Sequence, residues 1–333
     1  MNNYSISSFI ILLISFLFAL LVGLGLYGYG MDYYGAYSKG FQWNITRVNI
    51  LNYLGFRVTT LTVLGAYVGV YLTTFILTLS TGFLIRSHMR FKESYSLLSF
   101  LLIFLIAIHT WPIIMSTSNA MRQGLAMSFI FLALTNFQKN YYWILLYSLV
   151  AAFMHKTGTF FFMIAIFTII SNKLFTHFFH DKQAIYHFFN GIFVCIVIYY
   201  IFDIFILYED HQPTRIISGD YRGAFAFIGF IYVALAFFLR GMLTNSFNLI
   251  IYYYSFFSLP FLMHGLNWQY ERFGMIMIIP YILSYGSIIH RISYKFYLTL
   301  AFLSLLILTV YAGMYSNGLY YKDDPFLYGI AHF

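Results

Sequence analysis

The sequence predicts an all-α fold, a polytopic integral membrane protein, on three observations. The first is composition: across 333 residues, 61% are hydrophobic, 23% aromatic and only 8% Asp, Glu, Lys or Arg. So few polar side chains cannot cover the surface of a water-soluble core. The second is segmentation. Apolar runs of roughly 17 to 25 residues recur from end to end, each long enough to cross about 30 Å of hydrocarbon as a helix. The third is where the charges fall. A formal net charge of +8 would suggest nucleic acid in a soluble chain, but these bases sit in short gaps between apolar runs, as topology signals and headgroup contacts do. Membrane lipids are therefore expected partners and nucleic acid is not.

The first element is "FIILLISFLFALLVGLGLYGYG", which lacks a basic n-region and a small-residue cleavage site and so reads as a retained helix. Its Gly23, Gly25 and Gly28 match a G-x-G-x-x-G pattern. A dinucleotide fingerprint needs a strand before it and a helix after it, whereas here the glycines end an apolar helix and permit close packing. The runs that follow give about eleven spanning helices in one transmembrane domain, residues 1–333, with centres near Phe16, Thr73, Ile103, Phe129, Leu149, Ile164, Cys195, Ala234, Ser255, Ile279 and Leu305. Cys195 is the sole cysteine, so no intramolecular disulfide is possible, and it sits where a small apolar residue would serve.

The gaps form two alternating sets. One reads "RSHMRFKE", "QKN", "SNKLFTHFFHDK", "RG" and "HRISYK"; the other, longer and richer in acids, includes "DYYGAYSKGFQWNITRVNILNYLGFR", "MSTSNAMRQ", "HKTG", "YEDHQPTRIISGDYRG" and "NWQYERF". Their Lys and Arg counts tie, so orientation rests on loop length: the short set is expected in the cytoplasm, with the N-terminus in and the C-terminus out. Five helices then run inward from the outer face, each beginning beside a base: Arg57, Arg122, Lys156, Arg222 and Arg272. A cation at the positive end of a helix costs roughly 0.3 to 1 kcal/mol unless an anion is near. Exposed N–H groups with an arginine fork suit phosphate oxygens; the alternative is that these side chains snorkel to headgroup phosphates. Arg122 stands out, because in "STSNAMRQGLAM" it is flanked by Asn119 and Gln123 amid apolar sequence. Arg215 shares the outer gap of Arg222 and is a further candidate for anion binding.

His155, in "AAFMHKTGTF", ends the fifth helix on the face where Arg122 begins the fourth. The short turn "NFQKN" makes the two an antiparallel hairpin, so both residues are expected at one end of it. A histidine there is a candidate general base, the alternative being a hydrogen-bonded core residue. Asp32, Glu271 and Asp220 are the other candidates for base work, although Glu271 beside Arg272 and Asp220 near Arg222 also fit ion pairs. His177, His180 and Asp181 in "HFFHD" have a spacing that suits a metal, but no second ligand cluster accompanies them, and no metal is expected.

At "STSNAMRQGLAMSFIFLAL", and a hairpin later at "AAFMHKTGTFFF", the chain resembles the O-antigen and exopolysaccharide polymerases of the Wzy type, in their EpsG-like branch. Asn119, Arg122, Gln123, Ala126, Ala151, His155 and Thr157 carry the match, which extends to "DYYGAYSKGF", "YERFGMIMIIPYIL" and "YYKDDPFLYGI". Relatives often carry an acid before the second helix, where this chain reads "NYLGF". The resemblance implies a fold similar to membrane-embedded, GT-C-like glycosyltransferases in the bacterial inner membrane, with the active site facing the periplasm. The implied reaction moves a growing glycan from polyprenyl diphosphate onto an incoming lipid-linked repeat unit. A polyprenyl-diphosphate-linked oligosaccharide is then the partner, with a chain-length regulator as a further one, and no cofactor is required. Together with the residue reading, this makes His155, Arg122, Glu271 and Asp32 the catalytic candidates; Asn119, Gln123, Lys156, Arg215, Arg222 and Arg272 are the substrate-binding ones. Two other classes compete. A lipid-linked oligosaccharide flippase would show broken helices at matching positions of a repeat, and a membrane acyltransferase would show a histidine-and-acid motif near the first helices.

Overall fold

The computed structural model describes residues 3–25, 65–91, 96–118, 120–136, 140–178, 182–208, 229, 231–234, 243–263, 267–288 and 293–320. All regular structure among them is helical. In chain order the helices are α1 (Asn3–Gly23), α2 (Gly65–Phe91), α3 (Leu97–Ile108), α4 (Trp111–Ser118), α5 (Met121–Thr135), α6 (Tyr141–Met154), α7 (Lys156–Phe178), α8 (Gln183–Tyr208), α9 (Ser246–Met263), α10 (Asn267–Ile288) and α11 (Tyr294–Tyr320). Every centre expected from hydropathy falls on described helical backbone, Ala234 within the short stretch 231–234.

Five of the described helices, α1, α2, α7, α8 and α9, contain segments long and apolar enough to cross a membrane; a sixth span arises if the bent pair α3 and α4 counts as one. At 15 and 14 residues, α5 and α6 rise only about 22 Å each, short of a full hydrocarbon crossing.

The chain divides into two compact units: residues 1–162 with 290–333, and residues 163–289. In the first, α2 is the central helix, packed by α1, α3, α4 and α5, while α5 and α6 form the antiparallel hairpin expected from "NFQKN". Gly23 lets α1 approach α2, since a Cβ added there would lie 2.2 Å from the Tyr71 ring. Gly25, just past the helix, has φ 81°, the left-handed conformation that glycine adopts without a Cβ clash and that closes helix ends. Three buried hydroxyls of α2 are satisfied locally: Thr74 donates to the Val70 carbonyl at 2.7 Å, Thr78 to Thr74 at 2.7 Å and Thr81 to Leu77 at 2.8 Å.

Between α3 and α4 the axis bends by 59°. Pro112 explains it, because the ring has no N–H to continue the helix and would clash with the carbonyl four residues back, that of Ile108. The chain restarts at Thr110, whose carbonyl accepts from the N–H groups of Ile113 and Ile114 at 3.0 and 3.1 Å. A second interruption separates α4 from α5, where the Ala120 N–H donates to the Met115 carbonyl at 2.9 Å. Hydropathy gave a single polar gap here, "MSTSNAMRQ"; the structure runs the last four residues of α4 through its start.

In the second unit α9 packs against both α8 and α10. Tyr252, Tyr253 and Tyr254 are consecutive and all fully buried, so the middle of α9 is covered all round, while Leu262 and Met263 at its end are exposed. Phe189, Phe193 and Tyr200 on α8 are exposed, an apolar surface suited to lipid.

Candidate functional site

The N-terminus of α5 is built differently from those of its neighbours. Asn140 caps α6, its side chain accepting from the Tyr142 N–H at 2.9 Å. Ala120 stands at the cap of α5 and offers no side-chain bond, and the first turn of α5 holds no acid. Its first residues present N–H groups that the helix itself cannot pair, and the second of them is Arg122, partly buried. A base at an uncapped N-terminus is electrostatically unfavourable by itself and suits an anion.

His155 lies at the opposite end of the sequence hairpin and therefore at the same spatial end, between α6 and α7. Its backbone is extended, at φ −159° and ψ 154°, and its carbonyl accepts from the Gly158 N–H at 2.8 Å to start α7. The ring caps the new helix. Nδ1 lies 3.3 Å from the Thr157 backbone nitrogen and 2.9 Å from Thr157 Oγ1. A backbone N–H can only donate, so Nδ1 is the acceptor, and in the neutral ring the proton sits on Nε2. Lys156 opens α7 and is exposed, again with no acid in the first turn. Gly158 allows the tight turn: an added Cβ would come within 2.0 Å of the Ala151 carbonyl oxygen.

Beside Arg122, Gln123 is only 2% exposed, and among the described residues neither its Oε1 nor its Nε2 has a hydrogen-bond partner. The same holds for Ser116 Oγ on α4 and Thr73 Oγ1 on α2. These helices meet at Gly124, where an added Cβ would lie 2.0 Å from the Ser116 carbonyl oxygen and 3.0 Å from Thr73 Cγ2. An orphaned buried polar group costs about 1 to 3 kcal/mol. Nothing in the sequence distinguishes Thr73 from Thr74, or Ser116 from Thr117, which donates to the Ile114 carbonyl at 2.6 Å. For that reason Thr73 and Ser116 escape a sequence-based search.

Polar side chains in the second unit behave otherwise. Tyr253 Oη lies 2.7 Å from His187 Nδ1 and accepts from Asn190 Nδ2 at 3.1 Å, and Asn190 also reaches Ser171 Oγ at 3.4 Å. Tyr232 Oη pairs with Ser284 Oγ at 2.7 Å, and Ser284 donates to Asn248 Oδ1 at 2.6 Å. Ser255 Oγ meets Tyr281 Oη at 2.9 Å.

Of the expected site residues, Arg122, Gln123, His155 and Lys156 fall at one end of the α5–α6 hairpin in the first unit. Glu271 and Arg272 lie near the start of α10 in the second unit, Arg272 partly buried. Asn119, Asp32, Arg215 and Arg222 lie outside the described residues, as do Arg57, Asp220, His180 and Asp181. His177, at the exposed end of α7, packs edge-on against Phe178 with ring centroids 4.8 Å apart. Comparison of the chain with family models, curated proteins and solved structures finds no match.

Proposed function

We propose that this chain is a polysaccharide polymerase: a membrane-embedded glycosyltransferase of about eleven spans, similar in class to GT-C-like enzymes. It transfers a growing glycan from polyprenyl diphosphate to an incoming lipid-linked repeat unit at the periplasmic face of the bacterial inner membrane. The observation that carries the reading is the end of the α5–α6 hairpin. There the N-terminus of α5, with no acid in its own first turn and no side-chain cap from Ala120, bears Arg122, at the same end as the N-terminus of α7, capped by His155 and opened by Lys156. Such an end suits a diphosphate, and the membrane suits its lipid. The sequence resemblance to Wzy-type polymerases supplies the reaction.

In that reaction an acceptor hydroxyl attacks the anomeric carbon, the bond from that carbon to the diphosphate oxygen breaks, and the acceptor proton leaves. Arg122 stabilises the charge gathering on the diphosphate. His155 is a catalytic candidate whose Nδ1 accepts from the Thr157 N–H at the α7 cap. His155 is better suited to donate from Nε2 to the departing diphosphate. Base work then falls to Glu271 or Asp32.

Deleting the gene tests the class of reaction. A polymerase mutant leaves a single repeat unit on the cell's acceptor, one short rung on a gel in place of a ladder. Loss of the repeat unit altogether would favour a flippase, the reading that gains from the broken path through α3, α4 and α5.

A further inference from the structure

We propose that Thr157 is a positioning residue: its hydroxyl and backbone N–H hold the His155 ring with Nδ1 as acceptor, so that Nε2–H is what the ring can give to the departing diphosphate. This rests on the polyprenyl-diphosphate reading above. Hydroxyls inside helices ordinarily turn back to a carbonyl three or four residues earlier, as those of Thr74, Thr78, Thr117 and Ser128 do here. Thr157 is 5% exposed, yet its hydroxyl lies 2.9 Å from His155 Nδ1, and its N–H reaches the same atom at 3.3 Å. Because the N–H makes Nδ1 an acceptor, the hydroxyl is a second donor to it.

Another histidine that ends a helix in this unit shows what the threonine changes. His109 closes α3, and its Nδ1 lies 2.7 Å from the Leu105 carbonyl, an oxygen that can only accept. The neutral His109 ring therefore carries its proton on Nδ1, the reverse of His155. Two residues after His109 stands Trp111, which has no hydroxyl; two residues after His155 stands Thr157. The main chain of His155 is held as well. Its N–H donates to the Ala151 carbonyl at 3.2 Å, and its carbonyl accepts from the Gly158 and Thr159 N–H groups at 2.8 and 3.3 Å. With the backbone fixed, the ring torsions remain, and Thr157 sets them through Nδ1. The tautomer matters to the reaction, because a ring protonated on Nδ1 would offer a lone pair from Nε2 to an oxygen gaining negative charge, where a donor is needed.

Solid-state nitrogen NMR of the full-length protein, isotope-labelled at histidine and held in lipid bilayers at mildly alkaline pH, reads the ring directly; His155→Asn identifies its signals among the ten histidines. Wild type should show His155 Nδ1 unprotonated and shifted by hydrogen bonding. Thr157→Val keeps the shape and the N–H but loses the hydroxyl. It should move that signal toward an unbonded or protonated nitrogen and slow polymer elongation per inserted molecule about tenfold, and Thr157→Ser should restore both. A protonated Nδ1 in wild type would overturn the proposal without any variant having to insert. Wild-type elongation by Thr157→Val, a slow Thr157→Val whose Nδ1 signal has not moved, or a Thr157→Ser as slow as Thr157→Val would each overturn it too. A wild-type protein that elongates no polymer would instead remove the polymerase reading, while the His155 spectra still decide whether Thr157 sets the ring.

Discussion

Two buried polar groups, one in each unit, are built in opposite ways. Around Tyr253 in the second unit, a phenol, an imidazole, an amide and a hydroxyl satisfy one another within 2.7 to 3.4 Å. Around Gln123 in the first, an amide and two hydroxyls are as deeply buried, yet no described residue bonds them. A satisfied network is a device for fixing one arrangement of helices, since each partner is correct in only one register. An unsatisfied one lowers stability, and its persistence makes sense where something outside the chain completes it. The difference marks the Tyr253 group as architecture, whose bonds fix its helices, and Gln123 as a side chain that fixes none.

Glycine substitutions give the largest expected effect. Gly124→Ala drives a Cβ into the Ser116 carbonyl at 2.0 Å, a backbone obstacle that cannot swing aside, and should destabilise by about 3 kcal/mol or more. Gly191→Ala meets the Tyr252 ring at 2.7 Å; a side chain can yield, at the expense of the bond from Tyr252 Oη to the Phe188 carbonyl, so about 1 to 2 kcal/mol is expected. Unfolding midpoints in detergent rank the two, and equal losses would remove the distinction between a backbone and a side-chain contact.

Tyr253→Phe comes next. It strips a partner from His187 and Asn190 and should destabilise by about 1 to 3 kcal/mol, visible as less inserted protein and an earlier melt. His155→Ala deletes the α7 cap at about 1 kcal/mol, and His155→Asn should recover most of that stability without recovering activity. Full activity in His155→Asn would show that capping is all the ring does. The smallest loss is expected for Gln123→Leu, which breaks no bond to a described residue and removes two orphaned polar atoms, so stability should hold or rise. A large loss there would make Gln123 architectural like Tyr253, and the comparison would fail.

Much of this was legible in the sequence because hydropathy is periodic over whole helices. The helix centres, the α5–α6 hairpin and the grouping of Arg122 with His155 at one end of it follow from run lengths and from the turn "NFQKN". The break before α4 was also available, in Pro112. What hydropathy does not carry is the rotamer of a single hydroxyl: Thr73 and Thr74 are adjacent and chemically identical, and only their three-dimensional surroundings separate an orphan from a satisfied group. The tautomer of His155 was equally hidden, being set by a backbone N–H that exists only once α7 begins at Lys156. In the second unit, the hydroxyl pairings of "YYYS" arise with helices far apart in sequence.

The central claim, that the Arg122 end of the hairpin is the site while the Tyr253 network is support, is tested most directly by polymer elongation rate per correctly inserted molecule. The rate should be compared between Arg122→Ala and Tyr253→Phe at matched membrane abundance. Arg122→Ala should fall about a hundredfold or more, the loss typical of a missing charge-stabilising donor at a transition state, while Tyr253→Phe keeps a near wild-type rate per molecule. Wild-type elongation by Arg122→Ala, or a collapse in Tyr253→Phe that abundance does not explain, would contradict it.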